Sequence, residues 1–289
     1  METEVSVVLT IRNVENYIAN CLKSILNQTI KDFEVVIVDD MSNDNTGTLI
    51  AEFNDPRIRY FRNEERLGLT KNRNRGLEYA KGAFIFFTDG DCIVSKNWIS
   101  EGLRYLKELG CVGVEGKILY VSEEYEPTFS DHVCENETGG LYMTGNMAYK
   151  RGIIEKVGGF DERYSYHEDR DLALRIKKIG RICFNPKMIV RVQKEILTPK
   201  GLIGRTGVIK NRVYLFKQFG DKALITGRIV DPISLAKRIF PPLAFASLLS
   251  KKRFKDTPDY RLFPFAYISL IMERLQLWNT CAKEGVFLI

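Results

Sequence analysis

The sequence predicts an α/β fold built on a mostly parallel sheet flanked by helices. Three observations predict it. Short apolar runs alternate with stretches of helical spacing, the signature of βαβ units. The runs end in carboxylates or polar turns, where open α/β sheets place their ligands. The 289 residues, 45% of them hydrophobic, suffice for one large domain with a smaller appendage.

Val5–Leu9 is a first strand, and Asn16–Asn27 carries Tyr17, Ile18, Cys21, Leu22, Ile25 and Leu26 at helical spacing. Glu34–Asp39 is a second buried strand ending in Asp39-Asp40. The polar stretch Ser42–Thr46 suits the cap of a following helix. Arg57–Arg62 is a third strand and Leu69–Ala80 a helix. Gly82 restarts the chain into the strand Phe84–Phe87. Asn97–Leu109 is a further helix with Trp98, Leu103 and Leu106 inward. Val112–Val121 alternates like a strand. Ser122–Thr138 is acidic and irregular, as in a mobile loop, and Gly139–Tyr149 reads as strand. Gly158–Asp161 is a turn, followed by a helix through Ile179. These elements place a first domain at residues 1–192, leaving 193–289 as a basic, mainly helical region.

The central stretch is Phe84-Ile-Phe-Phe-Thr-Asp-Gly-Asp-Cys92. Two carboxylates, Asp89 and Asp91, follow a buried strand with one glycine between them. Mg²⁺ is commonly held by one or two carboxylates plus substrate phosphates. Asp-Gly is also a hairpin signal by itself, so spacing leaves a metal site and a plain turn both open. The wider set favours chemistry. Acids recur at Asp39-Asp40, Asp89/Asp91, Asp161 and Glu168-Asp169, all where elements begin or end. Like charges gathered without partners repel, so such a set suggests a cation or a proton-transfer role.

Six cysteines are scattered with no C-x-x-C pair, which suggests neither a zinc site nor a disulfide framework. The acidic start runs straight into a strand, unlike a signal peptide, and the expected compartment is a reducing cytosol. The net charge of +6 is unevenly spread. Residues 191–289 hold 18 Lys and Arg against 7 Asp and Glu, leaving 25 against 30 in the first 190. A basic tail on an acidic body suits an anionic partner.

The segments Val5-Ser-Val-Val-Leu-Thr-Ile-Arg-Asn13, Val38-Asp-Asp-Met-Ser-Asn-Asp-Asn-Thr46, Asn72-Arg-Asn-Arg-Gly76, Thr88-Asp-Gly-Asp91, Thr144-Gly-Asn146 and Gly158-Gly-Phe-Asp161 leading to His167-Glu-Asp-Arg-Asp-Leu-Ala-Leu-Arg175 carry a resemblance. Residues 5 to about 192 resemble a family-2 glycosyltransferase of the GT-A fold. Each segment alone is weak; their order and spacing are specific. The resemblance implies an inverting, metal-dependent transfer of a sugar from a UDP- or GDP-linked donor. It implies that Thr10, Arg12 and Asp40 line the base and ribose pocket and that Arg73 helps hold the nucleotide. Asp89 would contact ribose or sugar, and Asp91 would ligate Mn²⁺ or Mg²⁺. Asp169 would be the general base, steadied by Glu168.

Two departures matter. Arg12 stands where the family commonly has an aromatic, so guanidinium stacking would replace ring stacking. The Q-x-x-R-W signature of processive synthases is absent, which argues for transfer of a single sugar. His167 could face an acceptor or be structural.

In the tail, basic residues mix with apolar ones over Pro199–Phe219. Ile239–Ser250 and Leu262–Met272 are uncharged runs of twelve and eleven, the first followed by Lys251-Lys252-Arg253. Both fall short of the ~20 residues that span a bilayer, and basic flanks fit helices lying in the interface. The competing expectation is packing on the catalytic domain or on a second subunit. Relatives by resemblance use polyprenyl-phosphate or other lipid-linked acceptors, so a peripheral position on the cytoplasmic face of a membrane is expected, with no nucleic acid partner. Other classes are a non-catalytic anion-binding scaffold and a nucleotidyltransferase. The latter would normally show a glycine-rich loop, and Thr10–Asn16 contains no glycine.

Overall fold

The structure is a computed structural model and describes residues 3–120, 135–193, 198–204, 208–220 and 257–286. The described residues fall into two compact units, one ending at Gln193 and one made of helices after it. In the first, β1 (Val5–Ile11), β2 (Phe33–Asp39), β3 (Ile58–Arg62) and β4 (Phe84–Phe87) are joined by α1 (Ile18–Leu26), α2 (Thr46–Ala51) and α3 (Leu69–Tyr79). β1 pairs in parallel with β2 and β4, and β2 with β3. Crossover helices leave both faces of the sheet covered, which is why β1 and β2 are apolar nearly throughout.

Side chains alternate between the two faces. Val5, Val7, Leu9, Val35 and Ile37 pack with α1 and with Trp98, Ile99 and Leu106 in one core. Val8, Val36, Ile85 and Phe87 pack with Leu77, Ile154, Leu172 and Ile176 in the other.

Beyond β4 come β5 (Cys92–Val94), α4 (Trp98–Lys107), β6 (Gly113–Tyr120), a 3-10 turn (Thr144–Asn146), β7 (Met147–Lys150), α5 (Arg151–Lys156), α6 (Glu168–Lys177) and β8 (Ile182–Val192). One eight-stranded sheet results, in the order β3-β2-β1-β4-β7-β6-β8-β5. This half is mixed. β7 runs antiparallel to β4 and β6, β8 parallel to β6, and β5 antiparallel to β8. Because β7 is antiparallel, Met147 at its start stands opposite Phe87 at the end of β4. The turn before β7 therefore meets the turn after β4.

Several sequence expectations change. Gly139–Met143 is not strand; of the expected Gly139–Tyr149 stretch only Met147–Tyr149 pairs in the sheet, as part of β7. Gly139, Gly140 and Tyr142 have positive φ values of 79°, 92° and 57°, which no strand accommodates. Residues 42–46 meet the start of α2 as expected in one respect: Asp44 Oδ1 accepts from the backbone N–H of Thr46, the first residue of the helix, at 3.1 Å. The N-cap residue Asn45 makes no side-chain cap bond, and Ser42, Thr46 and the other oxygen of Asp44 accept the backbone N–H groups of Asn13, Val14 and Glu15. Cys111 and Cys183 form a disulfide, which the scattered cysteine spacing did not suggest. Most of the expected loop Ser122–Thr138 and the run Ile239–Ser250 lie outside the described residues.

The second unit contains α7 (Pro199–Gly204), α8 (Val208–Phe219) and the 28-residue α9 (Thr257–Glu284). Ile209, Val213 and Leu277 form its small core with Cys281 and Val286. Lys217 pairs with Glu284 at 2.9 Å. No described helix is long and apolar enough to cross a membrane.

One close approach in the first unit gives a test. Gly76 lies inside α3, where alanine would favour the helix by about 1 kcal/mol. A Cβ at Gly76 would sit 2.4 Å from Cγ1 of Val8. Val8 is buried and, being β-branched, stiff about χ1. Overpacking of this kind costs about 1–3 kcal/mol and should outweigh propensity. Gly76→Ala should therefore lower Tm by roughly 3–8 °C in thermal unfolding; an increase would show that α3 rides loosely on the sheet.

Candidate active site

The carboxyl ends of β1, β2 and β4 carry Arg12, Asp40 and the turn Thr88–Asp91. Thr10 is half-buried within β1, and Arg12 just beyond it is exposed. Asp40 is buried. Its Oδ1 accepts from Leu67 N at 2.8 Å and Asn63 Nδ2 at 3.3 Å, and its Oδ2 from Gly68 N at 3.2 Å. Burial works against charge on Asp40, but these donors, with Asn72, outweigh it and hold the carboxyl below the ordinary range.

Asp39 serves the frame. It is fully buried, its Oδ1 accepts from Ser42 N and Oγ at 2.8 and 2.6 Å, and its Oδ2 accepts from Tyr60 Oη at 2.5 Å. Asp161 is bound to the exposed Arg163. The sequence suggested one unpartnered acidic set; the structure gives Asp39 and Asp161 partners of their own.

The remaining acids gather around one cation. Arg73, on α3, is buried. Its guanidinium bonds Glu168 Oε1, lies 3.5 Å from Asp89 Oδ1, and sits 5.8 Å from the Phe160 ring centroid. The resemblance assigned Arg73 to the nucleotide, and the structure ties it to two carboxylates. Glu168 Oε2 is also buried and finds no hydrogen-bond partner among the described residues. Such an orphaned oxygen is a costly feature that functional sites retain.

Asp169, next in sequence, has a different environment. Burial raises its pKa, the adjacent Glu168 charge adds to this, and Arg73 with the N–H groups of Arg170 and Thr144 pulls only partly the other way. The net result is a carboxyl pushed up to about 7. Arg170 N lies 2.7 Å from Oδ1 and Thr144 N 3.4 Å from Oδ2. The two neighbouring carboxyls thus differ in setting: Glu168 is ion-paired with Arg73, while Asp169 is held well above the ordinary carboxyl range. His167, just before them, has a left-handed backbone with φ 62°.

Asp89, Asp91 and Cys92 form the metal-capable group of the described residues, each offering one ligand atom with all three within 4.8 Å of one another. The side chain of Asp89 is 41% exposed. Two hard oxygens on a turn, open on one side, fit a divalent cation that shares its remaining positions with phosphate and water. The Cys92 thiol donates to Asp91 Oδ1 at 3.5 Å.

Two structural centres were missed in the sequence. Asn146 is buried; it accepts from Trp98 Nε1 at 2.8 Å and donates to the carbonyls of Lys117 and Met188. Glu115 is a buried acid in the β6 run, where it and Lys117 are the two charges among apolar residues and glycines, and an acid at that position was its visible signal.

The fold has solved counterparts. The mannosyltransferase PcManGT from Pyrobaculum calidifontis, in complex with GDP-Man and Mn²⁺, superposes with a TM-score of 0.62 at 19% identity, covering 95% of this chain and 87% of that one. At that identity the likeness concerns the fold, a GT-A-type sheet with a helical C-terminal region. Residues 6–158, just over half of the chain, match the model for glycosyl transferase family 2, and the chain belongs to that family. Among curated relatives, glycosyltransferase GlyA of Streptococcus pneumoniae is 28% identical over 234 residues, covering 79% of this chain and 31% of that protein. The Escherichia coli UDP-Glc:alpha-D-GlcNAc-diphosphoundecaprenol beta-1,3-glucosyltransferase WfgD is 39% identical over 100 residues, covering 35% of this chain and 38% of that protein. The chain thus spans less than two fifths of either relative's length.

The raised carboxyl has a consequence for stability. An aspartate near 3.9 when unfolded and near 7 when folded opposes folding as it ionises. The cost is absent below about pH 4, grows between, and is complete above about pH 7. Asp169→Asn removes it in exchange for one weakened N–H contact. The variant should gain on the order of 1–2 kcal/mol at pH 8, raising Tm by roughly 2–6 °C, with a smaller gain at pH 5. Calorimetry at the two pH values checks this; equal Tm for both proteins at pH 8 would contradict the environment described.

Proposed function

We propose that this protein transfers a single sugar, with inversion, from a nucleotide-diphosphate sugar to an acceptor. The observation that carries this is the Glu168–Asp169 pair, with its neighbouring carboxyls in opposed environments beside the Asp89/Asp91 turn. Separated environments of this kind assign acid–base roles. Asp169 takes the acceptor proton as the acceptor oxygen attacks the anomeric carbon and the nucleoside diphosphate departs. A positioned base is worth ~10²–10⁴-fold in rate. Glu168, fixed by Arg73, orients this exchange and keeps its second oxygen for an acceptor hydroxyl. One base opposite the leaving group implies one displacement and hence inversion.

Thr10, Arg12 and Asp40 would form the base and ribose side, with the exposed Arg12 guanidinium stacking on the base. Arg73 would act on the nucleotide side through Asp89, which faces ribose or sugar. Asp91, with Asp89 beside it, would hold Mn²⁺ or Mg²⁺, whose chemistry is neutralisation of the leaving diphosphate. Mn²⁺ accompanies GDP-Man in the PcManGT structure, and UDP-Glc is in the name of WfgD; both support nucleotide-sugar use and leave the base to experiment.

The test is a panel of UDP- and GDP-sugars, scored for slow hydrolysis in Mn²⁺, with nucleotide binding followed by calorimetry. Asp91→Asn should lose metal-dependent binding and hydrolysis together. Asp169→Asn should bind nucleotide within a few fold of the native protein but turn over ~10²-fold slower. Unchanged metal-dependent binding in Asp91→Asn would remove Asp91 from the site.

A second reading concerns the acceptor's location. On α9, Tyr260, Ile268, Ile271, Met272, Leu275 and Trp278 are exposed, from 39% to 56%. The steps from Ile268 to Ile271, Leu275 and Trp278 are three, four and three residues, so these side chains share one stripe. Exposed Arg261 and Lys283 bracket it. An apolar stripe with basic ends, in a region of strong positive balance, is complementary to an anionic lipid surface. We propose that α9 lies on such a surface and that the acceptor is lipid-linked, as the diphosphoundecaprenol in the name of WfgD suggests. Each basic residue near the surface contributes on the order of 1 kcal/mol, a part that salt screens while apolar burial persists. The protein should float with anionic vesicles at low salt and partly at high salt. Its absence from the anionic fraction at low salt would make the stripe a packing or oligomer surface instead.

A further inference from the structure

Glu115 sits in the middle of β6 with its carboxylate buried. A charge in that position requires compensation, and four N–H groups supply it. Oε1 accepts from Leu141 N at 2.9 Å, Tyr142 N at 2.5 Å and Asn136 Nδ2 at 2.7 Å; Oε2 accepts from Gly140 N at 2.6 Å. Three successive backbone amides thus converge on one side chain, an anion-binding nest whose anion belongs to the protein. The chain reaches this shape only through left-handed residues at 139, 140 and 142. For Tyr142 that conformation is an outlier that its surroundings must hold in place.

The far end of the same segment touches both halves of the proposed chemistry. Thr144 N donates to Asp169 Oδ2. Gly145 O accepts from Thr88 Oγ1 at 3.0 Å, and a Cβ on Gly145 would lie 3.1 Å from Asp89 Oδ2. Leu141 is left exposed, and the Tyr142 ring lies 5.4 Å from Lys177 Nζ on α6.

We propose that Glu115 is a positioning residue: it locks Gly139–Asn146 into the one shape that brings Thr144 N–H to Asp169 and seats Gly145 against Asp89, with Leu141 and Tyr142 presented beside the base. Its effect on catalysis rests on the transferase reading; its anchoring of the loop does not.

The test compares native protein, Glu115→Gln and Gly140→Ala. Glutamine turns an N–H group toward backbone donors and so breaks the nest. Gly140→Ala leaves Glu115 and the core untouched, since its Cβ enters open space, but alanine strongly disfavours the φ of 92°. Hydrogen exchange at Gly140, Leu141 and Tyr142 should be at least about tenfold faster in both variants, while the amides of β1 and β2 stay protected. Hydrolysis of the nucleotide sugar selected by the panel should fall about tenfold or more, with Mn²⁺-dependent UDP or GDP affinity within about twofold of native. That split between turnover and affinity is what a general loss of stability would not produce. Native-like exchange at the three amides in a folded Glu115→Gln protein overturns the anchoring. Native hydrolysis in Gly140→Ala with a loosened loop overturns the catalytic consequence. Should Glu115→Gln fail to fold, Gly140→Ala decides alone. Failure of the native protein to bind either nucleotide overturns the transferase reading, and the exchange result still decides the anchoring.

Discussion

The bond between Arg73 and Glu168 is the constraint on which the site depends. A guanidinium this deeply buried cannot be left unpaired, because removing one partner of a buried ion pair costs about 3–5 kcal/mol. Arg73 comes from α3, Glu168 from α6, and the weaker partner Asp89 from the turn after β4. Three segments far apart in sequence are thus held to one point. One positive charge is shared among Glu168, Asp89 and Asp169, so negative charge remains in excess. A proton on Asp169 relieves part of that excess.

Sheet geometry supplies the second requirement. In a purely parallel sheet, the carboxyl end of β4 would be flanked only by the ends of other strands. Here antiparallel β7 presents its beginning at that edge. The residues entering β7 therefore lie beside Asp89, while α6 lies across the same mouth. Thr10, Asp40 and Asp89 thus lie on or just after the parallel strands, whereas Thr144, Glu168 and Asp169 come from the mixed half.

The parallel half was legible because each of its signals is local. Apolar runs, their acidic ends and the Asp89-Gly90-Asp91 turn can all be read within a few residues. The mixed half depends on partners far away in sequence. β8 contains Asn185 and Pro186, which weaken its strand pattern, and its pairing with β6 shifts register between Gly116 and Lys117. Gly139–Met143 reads as strand by composition, but the amides of Gly140, Leu141 and Tyr142 turn inward to Glu115, a partner at least 25 positions upstream. The motif Asn72–Gly76 was visible, but the direction of Arg73 was not, since only the fold brings Glu168 to it. Asp39 and Asp161 looked equivalent to the other acids until their own donors were seen.

The Cys111–Cys183 bridge joins the segment entering β6 to β8, 72 positions later. Glu115, Thr144, Glu168 and Asp169 all lie within the stretch it closes. The half of the candidate site that carries Glu168 and Asp169 is therefore a covalent ring, whereas the half that carries Thr10, Asp40 and Asp89 is an open chain. A single peptide cleavage between the two cysteines would leave the pieces linked, and they would part only on reduction. In the unfolded ensemble the ring's ends stay together, which removes loop-closure entropy from one half alone. When the oxidised chain refolds, the two halves of the candidate site thus begin from unequal starting points, one already tethered and one free.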